Sequence, residues 1–174
     1  MDWSRIVELH GPTVWRVARR LLNNEADAAD CFQRTFVSAL ELSRREPVAN
    51  WGALLNRLSN ARALDCLRER KRQAKRIALT PDEGCADRRA PSPLQAAGAN
   101  ELAQHLREAL ADLDPRQGQV FCLACLEGFS YDEIADQLCV TVNHVGVLLN
   151  RARTFLRARL AAHQPATSAS QRRE

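Results

Sequence analysis

Two groups of side chains in this sequence have the types and spacing to do chemistry, and in both the chemistry is recognition of a polyanion. The first is RERKRQAKR, from Arg68 to Arg76, with six basic residues and one acid. Arg68, Arg70, Lys71 and Arg72 in such a run meet phosphate well, because each neutralised phosphate releases condensed counterions. A solvated helix end is the plainer reading of the same residues, since cations also suit the negative end of a helix dipole. The second group lies in SYDEIADQLCVTVNHVGVLLNRAR, from Ser130 to Arg153. It reads as two short helices joined by a tight turn, the second with a polar outer side, the arrangement of a DNA-binding helix-turn-helix.

Other chemistry is disfavoured. Cys122 and Cys125 form a C-x-x-C, and Cys139 with His144 would complete four zinc ligands. In VFCLACLEG, however, both cysteines sit in an apolar helical run, where cysteine behaves as a small hydrophobe. Zinc-binding C-x-x-C pairs belong in knuckles with turn residues. Cys31, Cys66 and Cys85 have no partner spacing. His10, His105, His144 and His163 are scattered, no nucleophile sits in an elbow, and no glycine-rich phosphate loop occurs. Asp112, Asp114, Asp132 and Asp136 suit helix ends better than acid–base work. The sequence therefore predicts a binding protein without enzymatic activity or cofactor.

The elements that must carry these residues are helical. Ser130 and Glu133 make a capping box. Ile134, Ala135 and Leu138 form one apolar stripe. Thr141 caps a second helix, whose buried side is Val142, Val145, Leu148, Leu149, Ala152 and Leu156 at spacings of three and four. Small Ala135 and Val145, ten residues apart, are placed to pack where the helices cross. This is the pattern of a helix-turn-helix. Its turn position, which favours glycine because φ is positive, holds Cys139. Gly146 and Val147 leave part of the outer face without polar groups.

Upstream, Arg5 to His10 begins a helix that Gly11-Pro12 is expected to break, with Pro12 starting the next. Val14, Trp15, Val17, Ala18, Leu21 and Leu22 form an apolar face. Asn24 caps a helix running to about Arg45 with Ala28, Cys31, Phe32, Thr35, Phe36, Ala39 and Leu40 inward, and Pro47 ends it. A long helix spans about Asn50 to Arg76. Periodicity disappears from about Ile77 to Gly98, where prolines and glycines mark a linker. Helices return at about Ala99 to Asp112 and from Pro115 to Gly128. The expectation is an all-α fold: residues 1–76 and 98–163 as two small helical domains, 77–97 as a flexible linker, and 164–174 as a disordered tail.

Composition agrees with a cytoplasmic protein. Hydrophobic residues make up 45% of 174, and net charge is +4 from 25 basic and 21 acidic residues, so the placement of charge matters more than its sum. No run of eighteen apolar residues predicts a membrane span. MDWSRIVELHG lacks the basic-then-apolar order of a signal peptide. The cysteines are then expected to be reduced thiols.

Over about residues 5 to 160 the chain resembles the extracytoplasmic-function sigma factors of bacterial RNA polymerase. ARRLLNNEADAADCFQRTFVSAL resembles the family's region two, RLSNARALDCLRERKR its promoter-melting helix, and LADLDPRQGQVFCLACLEGFSYDEIADQLCVTVNHVGVLLNRAR its region four. The resemblance implies core RNA polymerase and promoter DNA as partners, and leaves open an anti-sigma factor as a third. It implies that Asp27, Asp30, Gln33, Thr35 and Phe36 fall in the segment that docks on polymerase, with Phe32 and Phe36 more simply core. Arg34 replaces the family's glutamate. The loop from Leu42 to Asn50 matches the family's loop that captures a flipped minus-ten base. Arg57, Asn60 and Arg62 lie on the following helix, where the family's asparagine aligns with Ala61. Trp51 there is more simply a core residue than a stacking platform for a base. Arg68, Arg70, Lys71 and Arg72 continue that DNA-facing set. In region four the implied minus-thirty-five contacts are Thr141, Asn143, His144, Val147, Asn150, Arg151 and Arg153. His144, Gly146 and Val147 replace the family's threonine, lysine and serine, so an unusual sequence, or DNA shape, is read there. The rival reading is a stand-alone helix-turn-helix regulator, which would need a receiver or ligand-binding domain. Residues 1–76 have no strand run to build a receiver.

Overall fold

The structure is a computed structural model that describes residues 2–79 and 97–161; every regular element among them is helical. The helices are α1 (Trp3–Leu22), α2 (Glu25–Ser43), α3 (Trp51–Leu79), α4 (Ala97–Asp112), α5 (Pro115–Phe121), α6 (Tyr131–Leu138) and α7 (Val142–Ala161). Linker residues 80–96 and tail residues 162–174 lie outside the described set, as does Cys85.

Polar side chains set the boundaries. Asp2 accepts from the Arg5 N–H to start α1, and Asn23 ends it in the left-handed region at φ 50°. Asparagine tolerates that conformation better than most residues. Asn24 then accepts from the Asp27 N–H (3.0 Å) and opens α2, so two adjacent asparagines make the corner. Asn50 accepts from the Ala53 N–H (3.0 Å) at the start of α3. Asp114 accepts from Arg116 and Gln117, with Pro115 at the first helical position of α5. That helix passes into a π-turn, Cys122–Leu126, and the segment stops where Gly128 takes φ 77°.

The expected break at Gly11-Pro12 does not occur: α1 runs through it. Pro12 is exposed on the outer side, while buried Gly11 lies against Phe32, whose ring is 3.6 Å from where a Cβ would stand. The apolar stripe of Val14, Val17, Ala18, Leu21 and Leu22 continues that of Ile6, and burying it outweighs the roughly 3 kcal/mol an interior proline costs. Trp15, expected inward, is 37% exposed and edge-on to Phe32 at 6.1 Å. Trp51 packs at the edge of the core, with its ring 5.2 Å from Trp3.

Helices α1, α2 and α3 pack on one another around Val14, Ala39 and Leu55. α5, α6 and α7 pack around Val120, Leu123, Ile134, Ala135, Val145 and Leu149. The two halves also share a third core. Val17, Leu21, Ala28, Leu64 and Leu67 meet Ala109, Leu110, Leu113, Cys122, Ala152 and Leu156. Polar contacts cross the same seam: Arg107 donates to the Leu21 carbonyl (3.0 Å), Gln119 to the Arg57 carbonyl (3.2 Å), and Arg20 to the Leu126 carbonyl (2.7 Å) and Glu127. Among the described residues the two helical halves thus pack on one another.

Cys31 and Cys122 are buried in that shared core, and burial pushes their thiols up to about 11 and about 12. Unfolded thiols ionise near 8.5. The folded chain therefore holds protons that the unfolded chain releases as pH rises. The stability these neutral thiols contribute is complete below about pH 8.5 and is lost as pH rises towards 11 to 12. Urea midpoints should fall over that window, and fall less in Cys122→Ala. At neutral pH a thiol reagent should modify Cys125 and Cys139, which are exposed, and spare the buried pair.

Candidate nucleic-acid interface

The α6–α7 pair is built from its caps. The Glu133 N–H donates to Ser130 Oγ (3.3 Å), and the Ser130 N–H donates back to the Glu133 carboxylate (2.8 Å). That backbone bond, then the Ser130 hydroxyl, holds the Glu133 carboxyl below its usual range. Cys139 closes α6 in the left-handed region at φ 52°, ψ 50°, and the Val140 N–H returns to the Ala135 carbonyl (3.0 Å). An L-side chain there costs about 1–2 kcal/mol, part of which glycine's extra unfolded freedom would give back. Cys139→Gly should therefore raise stability by roughly 0.5–1 kcal/mol, read as a higher thermal midpoint. An unchanged or lower midpoint would show that the turn is not strained.

Thr141 accepts from the His144 N–H (3.2 Å) and opens α7. Val145, Leu148, Leu149, Ala152 and Leu156 turn inward, while Asn143, His144, Val147, Asn150, Arg151 and Arg153 are exposed. Val142, expected inward, is 41% exposed in the first turn of α7. One residue of this face was missed: Tyr131, 40% exposed, lies over Gly146, its ring 3.8 Å from where a Cβ would stand. Arg153 donates to the Cys125 sulfur (3.6 Å). The sequence signal was a glycine on the outer face of α7 with an aromatic at the first position of α6. A short helix pair presenting amide, imidazole and guanidinium groups on one exposed face can enter a major groove.

The basic run is at the C-terminal end of α3, and part of it is used within the fold. Arg70 donates to the Leu22 carbonyl (3.1 Å) and ion-pairs with Asp27. Arg68 donates to Asp65 (3.0 Å) and the Leu113 carbonyl (3.4 Å). Lys71 meets Asp112 at 2.5 Å, and Arg159 of α7 meets the same carboxylate at 2.5 Å. Burial alone would raise Asp112, but the Lys71 and Arg159 hydrogen bonds override it and hold the carboxyl below its usual range. Arg72 pairs with Glu69 beside it and is exposed, as is Lys75. Further up α3, Arg62 is exposed and donates to Ser38 (2.8 Å). Arg57 is half-buried. Asn60 is fully buried, its amide donating to the Asn56 carbonyl (2.9 Å).

The α2 candidates divide in the same way. Asp27 is 8% exposed and Thr35 fully buried, its hydroxyl donating to the Cys31 carbonyl (2.7 Å). Phe36 stacks at a tilt on Phe32, 4.9 Å away. Asp30 and Gln33 face solvent, with Arg34 paired to Asp30 (3.0 Å) and Val37 54% exposed beside them. Cys122 points into the core while Cys125 and Cys139 are exposed. Among the described residues no three histidine, cysteine or acidic side chains are arranged to hold a metal, and no helix is long and apolar enough to cross a membrane.

Comparison with known proteins bears on both halves. Residues 6–73 match the profile described as Sigma-70 region 2, and residues 103–156 that described as Sigma-70, region 4. The chain is 32% identical over 169 residues to the ECF RNA polymerase sigma factor SigE of Mycolicibacterium smegmatis, covering 97% of this chain and 65% of that protein. It is 29% identical to the RNA polymerase sigma factor CarQ of Myxococcus xanthus, over 72% of this chain and 70% of the relative. The ferric citrate uptake sigma factor FecI of Escherichia coli is 28% identical, over 72% of each. In fold, the chain resembles the sigma factor RpoE of Bartonella quintana, solved in complex with the anti-sigma factor NepR. The TM-score is 0.54 at 22% identity, over 94% of this chain and 99% of that one. The PhyRSL-NepR complex from Sphingomonas sp. Fr1 gives a TM-score of 0.52 at 17% identity, over 100% and 99%.

Proposed function

This chain belongs to the sigma-70 family, in its extracytoplasmic-function form, and from that premise we propose that it is a transcription initiation subunit. It binds core RNA polymerase, recognises a two-part promoter and helps to melt the minus-ten element. The observation that carries this reading is the presence of region 2 and region 4 in one chain and in that order, over residues 6–73 and 103–156. A stand-alone regulator would have another kind of domain where region 2 stands.

Residues 1–76 form the polymerase- and minus-ten-binding domain, 77–97 the linker, 98–163 the minus-thirty-five-binding domain and 164–174 the tail. Exposed Asp30 and Gln33 on α2, with Val37 beside them, are the groups that touch polymerase. Asp27, Thr35 and Phe36 shape that helix from within. Arg62, Lys71 and Arg72 meet minus-ten phosphates. Buried Asn60, half-buried Arg57, Arg68 and Arg70 support the helix that presents them. Thr141 sets the start of α7, from which Asn143, His144, Val147, Asn150, Arg151 and Arg153 face minus-thirty-five DNA. The protein performs no covalent chemistry itself and acts in the cytoplasm, where polymerase and promoter are. An anti-sigma factor is a further partner.

Gel filtration of the chain with core polymerase should give a one-to-one complex that starts transcription from a subset of a promoter library. Asp30→Arg with Gln33→Arg should weaken that complex without changing helix content. A chain that never co-elutes with core polymerase would remove this reading.

A further inference from the structure

The outer face of α7 has an apolar side chain where its neighbours are polar. Val147 is 39% exposed. At about 3.6 residues per turn, Asn143 and Asn150 lie within about 60° of it on one side, and His144 and Arg151 within about 60° on the other. All four are exposed. The buried line of the helix, from Val145 to Leu156, runs along the opposite side. Val147 is thus the middle of the face that meets minus-thirty-five DNA. A single exposed valine needs no explanation on an ordinary surface. Its place between four polar groups on a groove-facing helix gives it a role.

Valine is short, so it reaches a base edge only where its backbone lies close to the groove floor. The preceding residue, Gly146, leaves room for that. The nearest atom that a Cβ there would meet belongs to the Tyr131 ring, at 3.8 Å, an ordinary contact. Packing within the protein therefore does not demand glycine, which weakens a helix interior. Glycine at such a position suits a backbone that a ligand approaches closely. The groove floor then narrows what can face the valine. Base edges in the major groove present hydrogen-bond donors and acceptors, and one apolar group, the 5-methyl of thymine. A carbonyl, amino group or ring nitrogen under an isopropyl group loses its water and gains no partner. A methyl group there is removed from water at a gain. The flanking asparagines carry the paired donor and acceptor that match adenine, so the neighbouring groups suit A·T pairs as well.

We propose that Val147 is a specificity-determining residue, which selects a thymine in the minus-thirty-five element by packing on its 5-methyl group. The inference rests on the sigma-factor reading, in which α7 enters that groove. The polar side chains around Val147 fix the register of the helix, and the valine disfavours a base pair with no methyl at its place. Cytosine methylated at C5 carries the same group in the same groove, beside an amino group instead of a carbonyl. Val147 treats the two methyl groups alike and leaves the exocyclic group to its neighbours.

The test uses the full chain assembled with core polymerase, as wild type and as Val147→Ser. Circular dichroism should give both chains the same helix content, since the side chain is exposed. Selection from a randomised minus-thirty-five library supplies the duplex. Each thymine of the selected element is then changed in turn to deoxyuridine, which pairs as thymine does and lacks only the methyl. One such change should weaken wild-type binding about fourfold, the worth of one buried carbon-sized apolar group. Val147→Ser should lose that penalty at that position and keep any other. With a C·G pair at the same place, wild type should bind more tightly, by a similar factor, when the cytosine carries a 5-methyl group. Val147→Ser should not distinguish the two cytosines. A selection that enriches no thymine overturns the proposal. So does a scan in which no deoxyuridine matters, or a penalty that persists in Val147→Ser. A chain that never joins core polymerase removes the sigma-factor reading, and the same selection and scan on the chain alone then decide the role of Val147.

Discussion

Arg70→Ala is expected to lower the stability of the protein by about 3 kcal/mol, the low end of the cost of removing one partner of a buried ion pair. Asp27 is 8% exposed in the first turn of α2, where the positive end of the helix dipole favours an acid. Its partner is Arg70, which also donates to the Leu22 carbonyl at 3.1 Å. Deleting the guanidinium takes the Arg70 charge away from a buried carboxylate and its hydrogen bond away from the Leu22 carbonyl. The Arg70 side chain is 34% exposed, so water replaces part of what is lost, which keeps the cost at the low end. Asp27→Ala should also destabilise, and the double variant should cost less than the sum of the two. Urea midpoints across that cycle measure the coupling. Lys71→Ala with Arg72→Ala should behave in the opposite way. Stability should stay within roughly 0.5 kcal/mol of wild type, while the salt dependence of promoter binding should flatten by about one unit of slope per lost phosphate contact. An Arg70→Ala chain that unfolds like wild type and binds DNA with a flatter salt slope would move Arg70 from the fold to the interface.

His144→Ala should change which minus-thirty-five sequence is preferred, at a cost of about 1–3 kcal/mol on the native site if the imidazole makes a good base contact. His144 is exposed in the first turn of α7, its backbone N–H held by Thr141 and its side chain towards solvent. The N-terminal residues of such a helix meet base edges, and later ones reach the backbone. Arg151 lies seven residues on and shares the exposed face, so Arg151→Ala should weaken all sites alike. Selection of bound sequences from a randomised minus-thirty-five library reads both effects. Gly146 contributes no side chain here, and Tyr131 covers it. If the His144 variant keeps the wild-type preference, this helix reads backbone and groove shape instead.

Local chemistry determined much of this protein by itself. Caps act within one turn, so Asn24, Ser130 with Glu133, Thr141 and Pro115 announce their helices without distant help, and each marks a start in the structure. Cys139 takes positive φ at the turn position where the helix-turn-helix pattern favours glycine. The order of the two sigma regions is likewise a property of the residues alone. What tertiary packing decided is which polar groups remain available. A run of six basic residues looks uniform in sequence, yet Arg70 is drawn inward by Asp27, 43 positions earlier, and Lys71 by Asp112, 41 positions later. Asn60 and Asn56 fall at helical spacing, but burial of the Asn60 amide depends on what packs against α3. Proline 12 shows the same rule from the apolar side: a local break predicted at about 3 kcal/mol yields to a stripe of buried side chains that only neighbouring helices can cover. The shared core between the halves was hidden for the same reason. Each apolar stripe announces that it must be buried, and only the assembled helices determine against what.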